Sequence, residues 1–330
     1  MKNLEVIVPC YNEEESIAFF ERQMEEIFAL LPEYRCSILY VNDGSKDGTY
    51  QIIKNSSAKK QYVNYISFAR NFGKEAAMFA GLFHSAGDFV VVMDADLQHP
   101  PELIPQMLDG IKEGYDCCMA RRINRKGENI IRQKLSKTFY RIMNLITSID
   151  LVQGSTDYCL MTRQMVDAVL SLHERERFTK GIFQWVGFQK KYIEYENTER
   201  IAGESKWSFR SLFRYAISGI TAFSVTPLHL ASAIGIVVML AAFIYALYIF
   251  GSALSSNAAR TGFASIIIIL LFLGGMIIFL LGVIGEYLSK IYIEVKQRPA
   301  YIIRDTSLKT TERKKQYEEN IDHYSGQGDQ

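Results

Sequence analysis

The sequence predicts an α/β domain with a mostly parallel sheet, joined to two membrane-crossing helices. Three observations lead there. Strand and helix patterns alternate over residues 1–200. Each predicted strand runs directly into a polar segment. Two long uncharged apolar runs fill much of the last third.

The strands come first. LEVIV (4–8), SILYVN (37–42), VNYISF (63–68), DFVVVMD (88–94) and YDCCMA (115–120) are short, apolar and rich in β-branched or aromatic residues. Helical patterns lie between them, for instance Ser16 to Leu31 and Lys74 to Ser85. Such alternation builds a parallel sheet covered by helices on both faces. Ligands of these sheets sit beyond the carboxyl ends of the strands. That edge gathers Tyr11-Asn12-Glu13, Asp43-Gly44-Ser45, Ala69-Arg70-Asn71, Asp94-Ala95-Asp96 and Arg121-Arg122.

Asp94 and Asp96 end the most apolar strand, VVVMDADLQHPP (90–101). In extended chain, residues i and i+2 share a face. Two carboxylates there repel unless a cation lies between them, and oxygen donors suit Mg²⁺ or Mn²⁺ with substrate phosphates completing the shell. Gln98 offers a further oxygen. Asp47 in NDGSKDGT reads equally well as a turn or cap residue.

Leu230 to Phe250 and Phe263 to Gly285 carry no charge, and each meets the about 20 residues that a spanning helix needs. Arg210, Arg214, Lys290, Lys296 and Arg298 flank the outer ends, whereas the connection holds only Arg260. The positive-inside bias therefore predicts an integral cytoplasmic-membrane protein with both termini in the cytosol. The acidic residues of MKNLEVIVPCYNEEE come too early for a signal-peptide core. Two amphipathic segments, Arg132 to Ile146 and Ser208 to Phe223, are predicted to lie at the bilayer interface, bases toward anionic headgroups. The tail from Leu308 is polar, charged and predicted disordered.

The net charge of +1 gives no reason to expect nucleic acid as a partner. The scattered and odd-numbered cysteines, five in all, fit a reducing compartment without a zinc site. Cys117 and Cys118 point to opposite faces of their strand, so no disulfide is expected there.

The motifs VIVPCYNEEESI, VNDGSKDGT, ARNFGKEAAMFAGL, DADLQHPPE and GESKW, in this order, resemble a family-2 glycosyltransferase of GT-A (Rossmann-like) fold. The two-span tail narrows the resemblance to the polyprenyl-phosphate enzymes: bactoprenol (undecaprenyl-phosphate) glucosyltransferases and their N-acetylglucosaminyl relatives, with dolichyl-phosphate mannose synthase more distant. It implies that Asp94, Asp96 and Gln98 hold a divalent metal against a nucleotide-sugar diphosphate. Pro9, Tyr11, Glu13 and Asp43, with Asp94, are implied to line the nucleotide site. Arg132 and Ser136 match an arginine–serine pair that binds the lipid phosphate, and Lys206 a phosphate-contacting lysine. Asp157 stands where inverting relatives carry a catalytic base. Asp157 and Asp96 form the implied catalytic set together with Arg122, which competes with Arg121 for the diphosphate.

The acceptor's second phosphate pKa is near ~6, so little proton abstraction is needed and Asp157 is expected to act through positioning. The resemblance implies inverting transfer of a hexose, UDP-glucose ahead of UDP-N-acetylglucosamine, and homo-oligomers with a tetramer favoured. The expected organisation is a cytosolic domain 1–200 with an interfacial helix at about 130–147, a loop and juxtamembrane helix 201–228, a hairpin 229–288 and a partly disordered tail 289–330. A processive polymer synthase would carry a Gln-x-x-Arg-Trp motif, which FQWVGF (183–188) lacks. A silent nucleotide-sugar-binding membrane partner is the remaining alternative.

Overall fold

The computed structural model of the 330-residue chain describes residues 1–123, 138, 140–147, 149–172, 174–196, 209–255 and 262–309. The first elements are β1 (Lys2–Cys10), α1 (Ile17–Ala29), β2 (Tyr34–Asn42), α2 (Thr49–Lys59), β3 (Val63–Phe68), α3 (Lys74–His84), β4 (Phe89–Val92), α4 (Leu103–Lys112) and β5 (Cys117–Arg122). They follow the predicted alternation. β4 stops at Val92, two residues before Asp94, although Met93 still donates its N–H to the Ile7 carbonyl at 3.1 Å.

β1 pairs in parallel with β2 and β4, and β2 in parallel with β3. Two apolar layers explain why these strands are so uniformly hydrophobic. Val91 and Met93 join one core with Phe20, Met24 and Met107; Val90 and Val92 join the other with Met78 and Met165. A strand buried on both faces needs apolar residues at every position. Cys117 and Cys118 also divide between the two cores, and all five cysteines are free thiols.

The second half departs from simple alternation. β6 (Ser155–Thr162) is antiparallel and inserts between β4 and β5. α5 (Arg163–Leu170), α6 (Thr179–Trp185) and β7 (Lys190–Tyr195) follow, with β7 parallel to β5. Three helices come next, α7 (Phe209–Phe223), α8 (Thr226–Ser255) and α9 (Phe263–Val295). Last comes β8 (Ile303–Thr306), antiparallel on the free side of β3. The sheet order is β7-β5-β6-β4-β1-β2-β3-β8.

The predicted hairpin and tail need correction at their joint. α9 has 33 residues, about 50 Å at 1.5 Å per residue, well beyond the ~30 Å hydrocarbon layer. Its last turns dock on the α/β domain. Glu294 Oε1 accepts the Arg175 N–H at 2.8 Å, Lys290 pairs with Glu176, and Tyr287 donates to the Ser224 carbonyl at 2.7 Å. The chain then returns to the sheet. Tyr301 stacks on Phe68 at 5.0 Å, and Asp305 accepts hydrogen bonds from Tyr50, Lys54 and Tyr65. The tail thus contributes an edge strand that periodicity did not reveal. The sequence beyond residue 309 lies outside the described residues.

α8 and α9 include candidate spans at Thr226–Tyr245 and Ile269–Val295, with mean hydropathy 2.2 and 2.4 and no part buried inside the protein. The segment predicted to be a juxtamembrane helix is helical over Phe209–Phe223. Of the interfacial segment, residues 140–146 are helical. Met143 packs with Ile149, Leu151 and Phe178 against Ile220 and Phe223 of α7, while Leu145 is 83% exposed.

Candidate active site

The loop after β2 is built around Asp43. The carboxylate is 3% exposed and accepts the Phe72 N–H at 2.6 Å and the Gly73 N–H at 2.9 Å. Burial pushes its pKa up, and the two backbone bonds and Arg70 oppose that shift. Gly44 follows with φ +63°; a Cβ there would lie 2.6 Å from the Asn71 nitrogen. Only glycine combines that backbone with so close an approach. Asp43 thereby fixes the β3–α3 loop, and that loop delivers Lys74.

The loop after β1 is latched to the same region. Asn12, with φ 54°, donates its N–H to Ser45 Oγ at 3.0 Å and accepts the Lys46 N–H at 2.9 Å. The Glu13 N–H donates to Thr49 Oγ1 at 2.8 Å, and its carboxylate accepts from Ser16 Oγ at 3.0 Å. Pro9 is buried within β1 opposite Val41, whereas Tyr11 and Glu13 are half-buried at the edge. Asp47 accepts from the Thr49 N–H and hydroxyl at 3.1 and 2.6 Å, the turn role read as its alternative.

After β4, burial alternates. Ala95, Leu97 and His99 are buried, while Asp94, Asp96 and Gln98 are half-exposed. The three oxygen-bearing side chains thus share the outward side. The turn is tightened by the Gln98 N–H donating to Asp96 Oδ1 at 3.2 Å and by Leu97 at φ 54°. Non-glycine residues in the left-handed region are uncommon and concentrate at functional loops. His99 stacks on Tyr158 at 5.4 Å beneath this turn, and burial lowers its pKa toward the neutral ring.

Asp157 arrives from β6. Because β6 is antiparallel to β4 and β5, its beginning lies at their carboxyl ends, and Asp157 enters the ligand edge. It meets a lysine that the sequence reading left without a role. Lys74 Nζ lies 2.8 Å from Asp94 Oδ1 and 2.9 Å from Asp157 Oδ2, so one ammonium bridges both carboxylates. Lys180, in the first turn of α6, approaches Asp157 Oδ1 at 3.9 Å. Glu75, next to Lys74, accepts the Thr179 N–H at 3.1 Å and the Thr179 hydroxyl, tying α3 to α6.

The electrostatics follow from these contacts. Burial alone would raise the Asp157 pKa; Lys74 and then Lys180 outweigh it and hold the carboxyl well below the usual carboxylate range. Burial works against the charge on Lys74, but Asp157 and Asp94 keep its pKa above normal. A carboxylate held this firmly as an anion is a weak proton acceptor.

The structure makes the two arginines the last residues of β5, where the sequence reading put them after it, and separates their partners. Arg121 Nε donates to the Gln153 carbonyl at 3.2 Å, and its Nη1 pairs with Glu194 at 3.3 Å. Arg122 lies close enough to Tyr195 to lower the tyrosine's pKa, although burial raises it overall; Asp94 and Asp96 act on the same tyrosine. Arg132, Ser136 and Lys206 lie outside the described residues.

Asp94, Asp96 and Gln98 fit a hard divalent ion in kind. All are oxygen donors, and Lys74 occupies one side of the Asp94 carboxylate, leaving further lone pairs. Among the described residues no group of three His, Cys, Asp or Glu side chains is arranged to hold a metal. The rest of the shell would come from the amide, water and substrate.

Lys74 and Lys180 were the residues missed. Lys74 sits in ARNFGKEAAMFAGL, a motif quoted for its resemblance alone. Its one available signal was its position directly after Gly73, at the start of the helix that follows β3.

Comparison with known proteins fits this architecture. Residues 5–170 match the family described as glycosyl transferase family 2, and residues 226–291 match the GtrB C-terminal hairpin. The prophage bactoprenol glucosyl transferase homolog of Escherichia coli K12 is 40% identical over 91% of this chain and 98% of its own length. The bactoprenol glucosyl transferase of Shigella phage SfII is 40% identical over 91% of this chain and 97% of its own. The uncharacterized glycosyltransferase sll0501 of Synechocystis is 38% identical over 92% and 95%, respectively.

Proposed function

The chain belongs to glycosyltransferase family 2 and has its GT-A fold, and from that premise we propose that it transfers glucose from UDP-glucose to a polyprenyl phosphate at the cytoplasmic face of the membrane. The observation that carries this reading is the position of the carboxylate cluster. Asp94, Asp96 and Asp157 lie at the ligand edge, and α6 links them to the apolar cluster of Phe178, Met143 and Phe223 beside the membrane helices. A donor headgroup and a lipid-borne acceptor can therefore meet there. The names of the bactoprenol relatives support the glucosyl group and the lipid acceptor.

In the proposed reaction an acceptor phosphate oxygen attacks the anomeric carbon as the bond to the diphosphate oxygen breaks. The electron pair leaves with the nucleoside diphosphate. One displacement inverts the centre, so an α-linked donor gives a β-linked lipid-phosphate sugar. Tyr11 and Glu13 face the nucleoside, and Asp43 shapes that side by holding the β3–α3 loop. Asp94, Asp96 and Gln98 would hold Mg²⁺ or Mn²⁺, which supplies charge stabilisation for the leaving diphosphate. Arg122 adds positive charge to the same group. Lys74 and Asp157 keep the carboxylates ordered, and the acceptor needs no strong base because its phosphate is already largely ionised near neutral pH. In the membrane, Gly274, Gly275, Gly282 and Gly285 face open space in the single chain, which favours close packing with further copies.

The test uses full-length protein in neutral-lipid vesicles with polyprenyl phosphate and labelled UDP-glucose, UDP-N-acetylglucosamine or GDP-mannose, with and without EDTA. The expected result is label entering the organic phase from UDP-glucose, lost with EDTA and β-configured. Binding without transfer across the donor panel would overturn the reading in favour of a silent partner protein.

A further inference from the structure

Lys180 stands between the carboxylate cluster and the apolar cluster that Phe178 and Met143 form with Phe223 of α7. Its neighbour Thr179 is fixed to Glu75 on α3, beside Lys74. On the other side Phe178 packs against Met143 of the interfacial helix and against Phe223 and Gly219 of α7. Tyr140 of that interfacial helix is near enough to act on the Lys180 charge. The side chain is 25% exposed, so it is enclosed without being sealed from a ligand.

The two lysines of the cluster differ in how fully they are engaged. An ammonium has three N–H donors. Lys74 places its nitrogen within 2.9 Å of both Asp94 and Asp157. Among the described residues Lys180 reaches only the Ser155 carbonyl, at 3.5 Å, and Asp157 Oδ1, at 3.9 Å. Both exceed a normal N–H···O length. Asp157 therefore holds Lys180 in place by charge without saturating its donors. An enclosed cation with unspent donors suits a second anion, and the cluster packed beside it, Phe178 with Met143 and Phe223, is apolar.

We propose that Lys180 donates to the phosphate of the lipid acceptor, and that Asp157 is the positioning residue that holds Lys180 for it. This rests on the reading of the acceptor as a polyprenyl phosphate. It adds a phosphate contact on the α6 side to those expected from Arg132, Ser136 and Lys206. Lys180 transfers no proton in this role. It orients the phosphate so that one oxygen faces the anomeric carbon, and it offsets the negative charge brought beside Asp157.

The experiment compares wild type, Lys180→Met and Lys180→Arg, each full-length and in neutral-lipid vesicles. It measures KM for polyprenyl phosphate, KM for the sugar donor, kcat, and binding of UDP with Mn²⁺ by calorimetry. Lys180→Met is expected to raise the acceptor KM about tenfold to a hundredfold, the loss of one charge-assisted hydrogen bond. UDP binding and donor KM should stay within about twofold, and Lys180→Arg should recover most of the acceptor affinity. Unchanged UDP binding also shows that the Met variant is folded. An acceptor KM within about twofold of wild type in Lys180→Met overturns the proposal, as does an equal rise in donor KM. A wild-type protein that binds UDP but neither binds nor glycosylates polyprenyl phosphate overturns the function on which it rests.

Discussion

The two sides of the active site are held together differently. The proposed donor side is closed by hydrogen bonds between loops that follow neighbouring parallel strands: Asp43 to Phe72 and Gly73, Asn12 to Ser45 and Lys46, Glu13 to Thr49. The proposed acceptor side adds ion pairs and apolar contact between distant segments, Lys74 with Asp157 and Phe178 with Met143 and Phe223, to the Glu75–Thr179 hydrogen bonds. Backbone hydrogen bonds fix a loop rigidly in one shape. On the proposed function the first side is the nucleotide side, and its loops are already joined to one another before any ligand binds.

The largest expected effects fall where the two sides meet. Asp94→Asn and Asp157→Asn should each lower turnover by about 100-fold or more, the scale of losing one preorganised electrostatic contact, measured by single-turnover transfer with UDP binding as the fold control. The pH dependence separates positioning from base catalysis. The lowered pKa of Asp157 means that it is ionised in the folded protein throughout the neutral range. Its contribution to stability is complete above the ordinary carboxylate pKa and is lost only as pH falls through the lowered value. An activity limb near ~6 belongs to the acceptor phosphate and should persist in Asp157→Asn. A limb that vanishes in that variant would make Asp157 the base after all.

Gly44→Ala tests the rigidity of the donor side alone. Left-handed backbone and a clash with the β3–α3 loop should cost about 2 kcal/mol or more, read by thermal unfolding. Tyr301→Ala removes a ring that stacks on Phe68 and packs on Phe79 and should cost about 2 kcal/mol, burial and ring pairing together, with turnover nearly intact at low temperature. The smallest effect sharpens the choice between the arginines. Arg121 and Glu194 are both well exposed, so Arg121→Ala should change stability by no more than about 0.5 kcal/mol and leave kcat within twofold. Arg122→Ala should lower kcat about tenfold, as expected for one charge near the leaving group. The reverse ranking in a transfer assay would reassign the pair.

The donor side was legible in the sequence for the same reason that it is rigid. A strand's carboxyl end and the loop after it are contiguous, so DADLQ, VNDGSKDGT and PCYNEEE each present a complete local feature. The apolar runs of α8 and α9 were legible because a membrane solvent imposes length and composition directly. The acceptor side was less so. Asp157 was found only through resemblance, since β6 carries no pattern announcing that it runs against β4 and β5. Lys74 looked like any basic residue at a helix start, and β8 is a short polar strand within a charged tail.

By itself the sequence determined the parallel half of the sheet, the polar segments that follow its strands and the two long apolar helices, all set by local periodicity and solvent. Only the tertiary structure decided that Lys74 bridges Asp94 and Asp157, residues 20 and 83 positions away. It likewise decided that Lys180 stands between that bridge and the apolar cluster of Phe178, Met143 and Phe223. Local sequence sets where a strand ends. The strand order and direction decide which distant charges must neutralise one another once the sheet buries them together.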